Sequence, residues 1–125
     1  MLQASAPVAF IASARPDLAR AFFSDTLGLR LLSEDAFSLV FDMAGTPLRV
    51  QKVPDFQPQP FTALGWQVAD AAGTVTSLRA RGVAFERYPF LQQDANDIWD
   101  APGGARVAWF KDPDGNLLSL TEVPA

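Results

Sequence analysis

The stretch VAWFKDPDGNLLSL, residues 107–120, places a turn between two apolar runs. The proline fixes one φ angle of the turn, and Gly115 can adopt a positive φ, so the stretch predicts a β-hairpin. Successive side chains of a strand point to opposite faces, which puts Leu118 and Leu120 on one face and Ser119 on the other. We expect the apolar face in the core and the small polar face lining a cavity.

A weaker copy of this hairpin lies upstream, in FSLVFDMAGTPLRVQ, residues 37–51. Aligning Gly45 with Gly115 sets Arg49 on Ser119 and brings the apolar and polar faces of both hairpins into register. A single hairpin of this kind is common and has no functional meaning. Two matching hairpins indicate an internal repeat, which constrains the whole fold.

Composition excludes several classes of function. The chain has 125 residues, 49% of them apolar, so one domain can form its core without a disulfide or a structural metal. The net charge of −4 and only ten basic residues argue against nucleic acid as a partner. The absence of Cys and His excludes thiol chemistry, catalytic triads built on His and every His-ligated metal site.

Nothing in the sequence indicates a membrane or secretory segment. No apolar run approaches the roughly 18 residues that a membrane span needs. No basic segment followed by an apolar stretch opens the chain, and without Cys no disulfide framework is expected. These features predict a cytoplasmic protein.

Helical and strand periodicities alternate along the chain in a repeating order. In the first half we predict a strand, a helix ended by a glycine, a strand and a hairpin, at residues 8–13, 16–27, 29–32 and 37–53. In the second half we predict a strand, a helix capped by Asp70 and ended by Gly82, two strands and the terminal hairpin, at residues 64–68, 71–81, 83–88, 98–99 and 107–121.

Each half is therefore read as strand–helix–strand–strand–strand, with the short strand at residues 98–99 as an addition in the second half. The prediction is one α+β domain, residues 1–125, built from two βαβββ modules, residues 6–53 and 61–123. The proline-rich segment 54–60 is predicted to be an extended linker. An unrelated α+β domain with coincidental spacing is the alternative.

Three segments resemble the vicinal oxygen chelate superfamily, which contains glyoxalase I, extradiol dioxygenases and bleomycin-resistance proteins. They are FFSDTLG at residues 22–28, LGWQV with the following Asp70 at residues 64–70, and residues 109–120. The resemblance implies a cupped mixed sheet around a ligand cavity, with the helices on the outside and usually in a homodimer.

Metal-using members of that superfamily carry His or Glu on the cavity side of the first and last strands of each module. The resemblance places these four positions on Val8, Arg49, Ala63 and Ser119. Aliphatic side chains are not ligands, serine is a weak one, and a guanidinium repels a dication. We therefore expect no metal and no cofactor.

The candidate ligand-binding residues are those expected on the cavity side. Arg49 would hold a carboxylate or another anion; an internal ion pair with an Asp or exposure to water is the alternative. The other candidates would orient or cover a ligand, although core packing is an equal alternative for the two aromatic ones: Gln51, Gln67, Phe90, Trp99, Ser119 and Thr121.

Asp94, Asp97 and Asp100 form an acidic group in the second half. A solvated loop is the commonest explanation of such a group, and a cation site or a general base is the alternative. Tyr88 would donate a proton only if its pKa were strongly perturbed.

These residues favour a metal-independent protein that binds a small, partly aromatic ligand, with an anionic group as the partner of Arg49. One alternative is a lyase, isomerase or dioxygenase with a metal site built only from Asp, Glu and Gln. The other is a dimeric interaction protein whose cavity is filled by its own side chains. The residues identify neither the ligand nor a reaction.

A first prediction concerns metal. A bound ion raises stability by mass action, so removing one lowers the thermal midpoint. Because the four positions lack ligands, we expect EDTA to leave the midpoint unchanged in differential scanning calorimetry. A clear upward shift with low micromolar Ni²⁺ or Zn²⁺ would contradict the prediction and make the three aspartates the first residues to mutate.

Overall fold

The structure is a computed structural model that describes all 125 residues. It forms two compact units, Met1–Gln57 and Pro58–Ala125. Each unit contains one mixed four-stranded sheet and one main helix, in the order strand–helix–strand–strand–strand. The predicted α+β class with two βαβββ modules is confirmed. No helix combines the length and the apolar composition needed to cross a membrane.

The first unit contains β1 (Ala9–Ser13), α1 (Pro16–Ala21), a π-helical turn (Phe22–Thr26), β2 (Arg30–Glu34), β3 (Ser38–Met43) and β4 (Thr46–Lys52). The second contains β5 (Thr62–Gln67), α2 (Ala71–Ala80), β6 (Trp99–Asp100), β7 (Arg106–Lys111) and β8 (Leu117–Glu122).

The last strand of each unit lies inside its sheet. The sheet orders are β1-β4-β3-β2 and β5-β8-β7-β6. In both sheets the first strand pairs with the last in parallel, and the remaining pairs are antiparallel. The register places Phe10 beside Arg49 in the first sheet and Gly65 beside Ser119 in the second. These matched pairs show that the aligned hairpins occupy equivalent places.

The two hairpins have glycines at equivalent places but turns of different length. The first turn has two residues, Ala44 and Gly45, both with positive φ, as a type I′ turn requires. The second spans residues 112–116, where the Asp112 carboxylate accepts hydrogen bonds from the backbone N–H groups of Asp114 and Asn116. Burial raises the pKa of Asp112, and the hydrogen bonds from Asn116 oppose that rise.

One face of each sheet packs on the helical segment of its own unit. In the first unit the contact includes the rings of Phe23 and Phe41, whose centroids lie 5.5 Å apart. In the second unit Ala71 and Val75 of α2 are fully buried, as is Phe110 on β7. Asp70 caps α2 as predicted, because its carboxylate accepts a hydrogen bond from the N–H of Gly73.

The predicted strand at residues 83–88 is wrong. Only Phe85 forms a bridge there, to Phe110 on β7. The side chain of Gln93 takes the place of a neighbouring strand: its amide accepts from the Tyr88 N–H and donates to the Glu86 carbonyl. These groups are therefore satisfied without a ladder. The short strand of this region is β6 instead.

Candidate functional site

The sheet face opposite α2 in the second unit carries the predicted polar residues. Paired residues of neighbouring strands point to the same face, and the register pairs Gln67 with Thr121 and Trp109 with Ser119. Trp99 joins the same face through its pairing with Val107. No hydrogen bond engages the side chains of Gln67, Ser119 and Thr121.

Ser119 is packed tightly against the neighbouring strand. A Cβ atom on Gly65 would lie only 2.5 Å from the Ser119 Oγ, so a side chain at position 65 would require Ser119 to move. Ser119 is 8% exposed, which makes it the least accessible of the predicted binding residues.

Four aromatic rings form a continuous array along this face. Trp109 lies at the centre, with its ring centroid 6.0 Å from that of Trp99 and 5.5 Å from that of Tyr88. Tyr88 in turn lies 5.4 Å from Phe90. The Trp109 indole N–H donates to the Thr62 hydroxyl over 3.2 Å, which fixes the orientation of the ring.

Part of this array lines a cavity of about 250 Å³, here named the aromatic cavity. Its wall is mostly apolar and consists of Pro60, Phe61, Thr62, Tyr88, Phe90, Leu91, Trp109 and Leu117. Phe61 and Phe90 are 62% and 79% exposed. Burying large apolar side chains is favourable, so such exposure marks a surface that a ligand or partner can cover.

A second cavity of about 260 Å³, here named the charged cavity, shares Pro60, Tyr88 and Leu117 with the first. It contains the ion pair between the Lys111 Nζ and the Glu86 Oε1, which are 3.4 Å apart. Its remaining wall comprises Pro58, Gln59 and Gly115. The two cavities therefore adjoin along these three shared residues.

Tyr88 is a hydrogen-bond donor at neutral pH. Burial raises the pKa of its phenol above the usual value, and the negative charge of Glu86 adds to the effect. The hydroxyl therefore keeps its proton, and Tyr88 has no tendency to act as a base.

The loop that carries Tyr88 and Phe90 is held by a polar network. The Arg87 guanidinium donates to the carbonyls of Gln93 and Asp94 over 2.8 and 3.0 Å. The Asp97 carboxylate pairs with Arg87 and also with Arg79 of α2. Helix and loop are thereby joined through one carboxylate.

The acidic group predicted as a solvated loop is largely ion-paired. The Asp97 side chain is only 13% exposed, and its backbone adopts a positive φ of 60°. Asp94 and Asp100 both contact Arg106, over 3.4 and 3.3 Å. No group of three or more Asp or Glu side chains is arranged to hold a metal ion. The arginines explain these carboxylates without a cation.

In the first unit, Arg49 and Gln51 lie on the exposed face of the sheet, with Phe10 beside Arg49. Arg49 is the one basic side chain of the ten for which the structure shows no hydrogen bond or ion pair. The pKa of Asp35 is lowered chiefly by the N–H groups of Phe37 and Ser38, and the charge of Arg49 is the smallest contribution. The internal ion pair considered from the sequence is therefore not formed.

The seven predicted residues divide between the units. Arg49 and Gln51 lie in the first; Gln67, Phe90, Trp99, Ser119 and Thr121 lie in the second. Of the seven, Phe90 is in the wall of the aromatic cavity. Sequence reasoning missed Trp109 and Phe61, although the pairing of Trp109 with Ser119 follows from the hairpin alignment. Phe61, at the end of the linker, had no such signal.

Solved structures of other proteins share the fold of this chain. No protein-family model and no curated protein sequence matches the chain. Among solved structures, a glyoxalase family protein from Enterococcus faecalis has a TM-score of 0.76 at 20% identity, over 98% of this chain and 100% of that one. A superfamily member from Sphaerobacter thermophilus has a TM-score of 0.74 at 22% identity, over 98% and 99%. A lactoylglutathione lyase from Agrobacterium tumefaciens has a TM-score of 0.73 at 18% identity, over 96% and 95%.

The chain has the glyoxalase/bleomycin resistance/dioxygenase fold. The resemblance seen in the sequence is thus confirmed at the level of the fold.

The metal site implied by this fold does not fit the residues present. Val8 precedes β1, and Ala63 lies at a register shift in β5. The residues that pair with Arg49 and Ser119 are Phe10 and Gly65, neither of which has a donor atom in its side chain. These four positions therefore do not form a ligand set for a divalent metal ion.

The double ion pair of Asp97 generates a second prediction. Asp97→Asn removes the charge but retains a residue type that tolerates positive φ. Hydrogen bonds to charged groups contribute roughly 1.5–3 kcal/mol, so we expect the free energy of unfolding in urea to fall by about 2 kcal/mol.

Asp100→Asn is the matched control, because the Asp100 side chain is 83% exposed and contacts one arginine over 3.3 Å. An exposed pair of this kind contributes roughly 0–1 kcal/mol. Equal losses in the two variants would show that Asp97 does not fasten the loop to α2.

Proposed function

We propose that this chain is a metal-independent protein that binds a small, partly aromatic molecule. The observation that carries the proposal is the aromatic cavity, where Phe61, Tyr88, Phe90 and Trp109 meet around about 250 Å³. An apolar protein cavity of roughly 150 Å³ already accommodates benzene. A single substituted ring is the ligand that this wall favours.

The chemistry of the site supports binding rather than acid–base catalysis. Trp109 already donates its N–H to Thr62, so its ring offers an apolar face for stacking. The raised pKa of Tyr88 leaves its hydroxyl as a donor that can orient a polar substituent. A mostly apolar wall with few polar groups is typical of a ligand site.

Arg49 supports a second, separate proposal, which concerns an anionic group bound to the first unit alone. Its guanidinium is exposed and lacks an internal partner, and it can bind a carboxylate through two parallel hydrogen bonds. We propose that the exposed face of the first sheet binds an anionic group at Arg49, with Gln51 as a neighbouring hydrogen-bonding side chain.

We also propose the homodimer implied by the resemblance. Exposed apolar side chains of the first unit, including Phe10 and Leu32, offer surface that a second copy would cover. Light scattering at micromolar concentration should give twice the chain mass of 13.5 kDa. A mass of one chain would contradict this proposal and leave the ligand proposal unaffected.

Replacing Phe90 tests the aromatic cavity. A stacked aromatic pair contributes roughly 0.5–1.5 kcal/mol beyond its buried area, so Phe90→Ala should weaken binding of a single-ring ligand about fivefold. Isothermal titration calorimetry with 2-phenylethanol measures the change.

Phe37→Ala is the matched control, because Phe37 is 78% exposed, as Phe90 is 79% exposed, but lies in the first unit. We expect it to bind as the unchanged protein does. Equal affinity of all three proteins, or no binding of any single-ring probe, would overturn the proposed function. Native mass spectrometry of the purified protein would identify a ligand that co-purifies.

A further inference from the structure

The binding of a simple aromatic ring proposed above does not use the charged cavity. It adjoins the aromatic cavity across Pro60, Tyr88 and Leu117, and it holds the ion pair of Lys111 with Glu86. A molecule seated on the aromatic rings would therefore reach a cation and an anion at one end.

Strand geometry brings the aromatic and charged groups into register. Trp109 and Lys111 are two residues apart on β7, so both side chains point to the same face, separated by roughly 6.6 Å along the strand. Leu117, the partner of Lys111 on β8, forms wall common to both cavities. This spacing suits one small molecule with an aromatic end and a charged end.

The ion pair between Lys111 and Glu86 is weak enough for a ligand to replace it. Its 3.4 Å separation exceeds the roughly 2.7–2.9 Å of a strong charge-assisted hydrogen bond. The side chains of Lys111 and Glu86 are 53% and 30% exposed. Exposed ion pairs of this kind contribute little to stability. A ligand that separates the two groups therefore loses little free energy by breaking the pair.

We propose that the ligand is an aromatic zwitterion of the amino-acid class. Its ring occupies the aromatic cavity, its carboxylate binds Lys111, and its ammonium group binds Glu86. The inference rests on the proposed function and names the class of ligand.

A zwitterion is favoured over a ligand with a single charge because both protein charges remain compensated. A carboxylate alone would displace Glu86 from Lys111 and then face the negative charge of Glu86. An amine alone would meet the positive charge of Lys111 in the same way. A zwitterion gives Lys111 a new negative partner and Glu86 a new positive partner. Only a molecule with both groups therefore replaces both contacts of the opened ion pair.

Four probes that share a phenyl ring separate these cases in calorimetric titrations: L-phenylalanine, 3-phenylpropionate, 2-phenylethylamine and 2-phenylethanol. We expect L-phenylalanine to bind about fivefold or more tightly than either singly charged probe. The neutral 2-phenylethanol reports on the aromatic cavity alone. If it binds and is weakened by Phe90→Ala while L-phenylalanine has no advantage, the zwitterion inference fails and the proposed function stands.

Two variants assign the charges. Glu86→Gln should abolish the advantage of L-phenylalanine over 3-phenylpropionate, and Lys111→Gln should abolish its advantage over 2-phenylethylamine. Arg30→Gln is the control, because Arg30 is a strongly exposed cation in the first unit that lies 4.0 Å from Asp42. An advantage that survives both cavity variants, or is lost equally in the control, would overturn the inference.

Discussion

The pairing of the last strand of each unit with the first, in parallel, is the constraint on which the molecule depends. It sets β4 and β8 inside their sheets, with a partner on either side. Because side chains alternate along a strand, this pairing sends Leu118 and Leu120 to the core and Ser119 to the opposite face. A slip of one residue would exchange the two faces, burying polar groups and exposing the core.

The backbone of the segment between α2 and β6 is stabilised differently from that of the strands. It carries Tyr88 and Phe90 but forms no ladder, so its backbone must find other partners. Gln93 supplies them through its side-chain amide, which also donates to the carbonyl of Asp97. Asp97 then joins the loop to Arg79 of α2. The loop side of the aromatic cavity, with Tyr88 and Phe90, is therefore positioned by polar side chains, whereas Trp109 and Leu117 are positioned by the sheet.

This difference explains what the sequence could predict. The division of β4 and β8 into an apolar and a polar face follows from local alternation. Residues 83–88 have the apolar and aromatic composition of a strand, yet the Gln93 side chain satisfies the Tyr88 N–H and the Glu86 carbonyl in place of a neighbouring strand. The adjacency of Glu86 and Lys111 depends on the path of the whole loop and has no local signal. Phe90, predicted to cover a ligand, lies in the wall of the aromatic cavity.

Positions 49 and 119 are equivalent in the two sheets but carry different side chains, so the two sheet faces differ in chemistry. At position 119 a serine packs against Gly65 on one neighbouring strand and pairs with Trp109 on the other. At position 49 an arginine pairs with Phe10, so a charged and an aromatic side chain project from the same place in the first sheet. Neither position offers an imidazole, a thiolate or a carboxylate. These two positions therefore supply a hydroxyl group and a fixed positive charge.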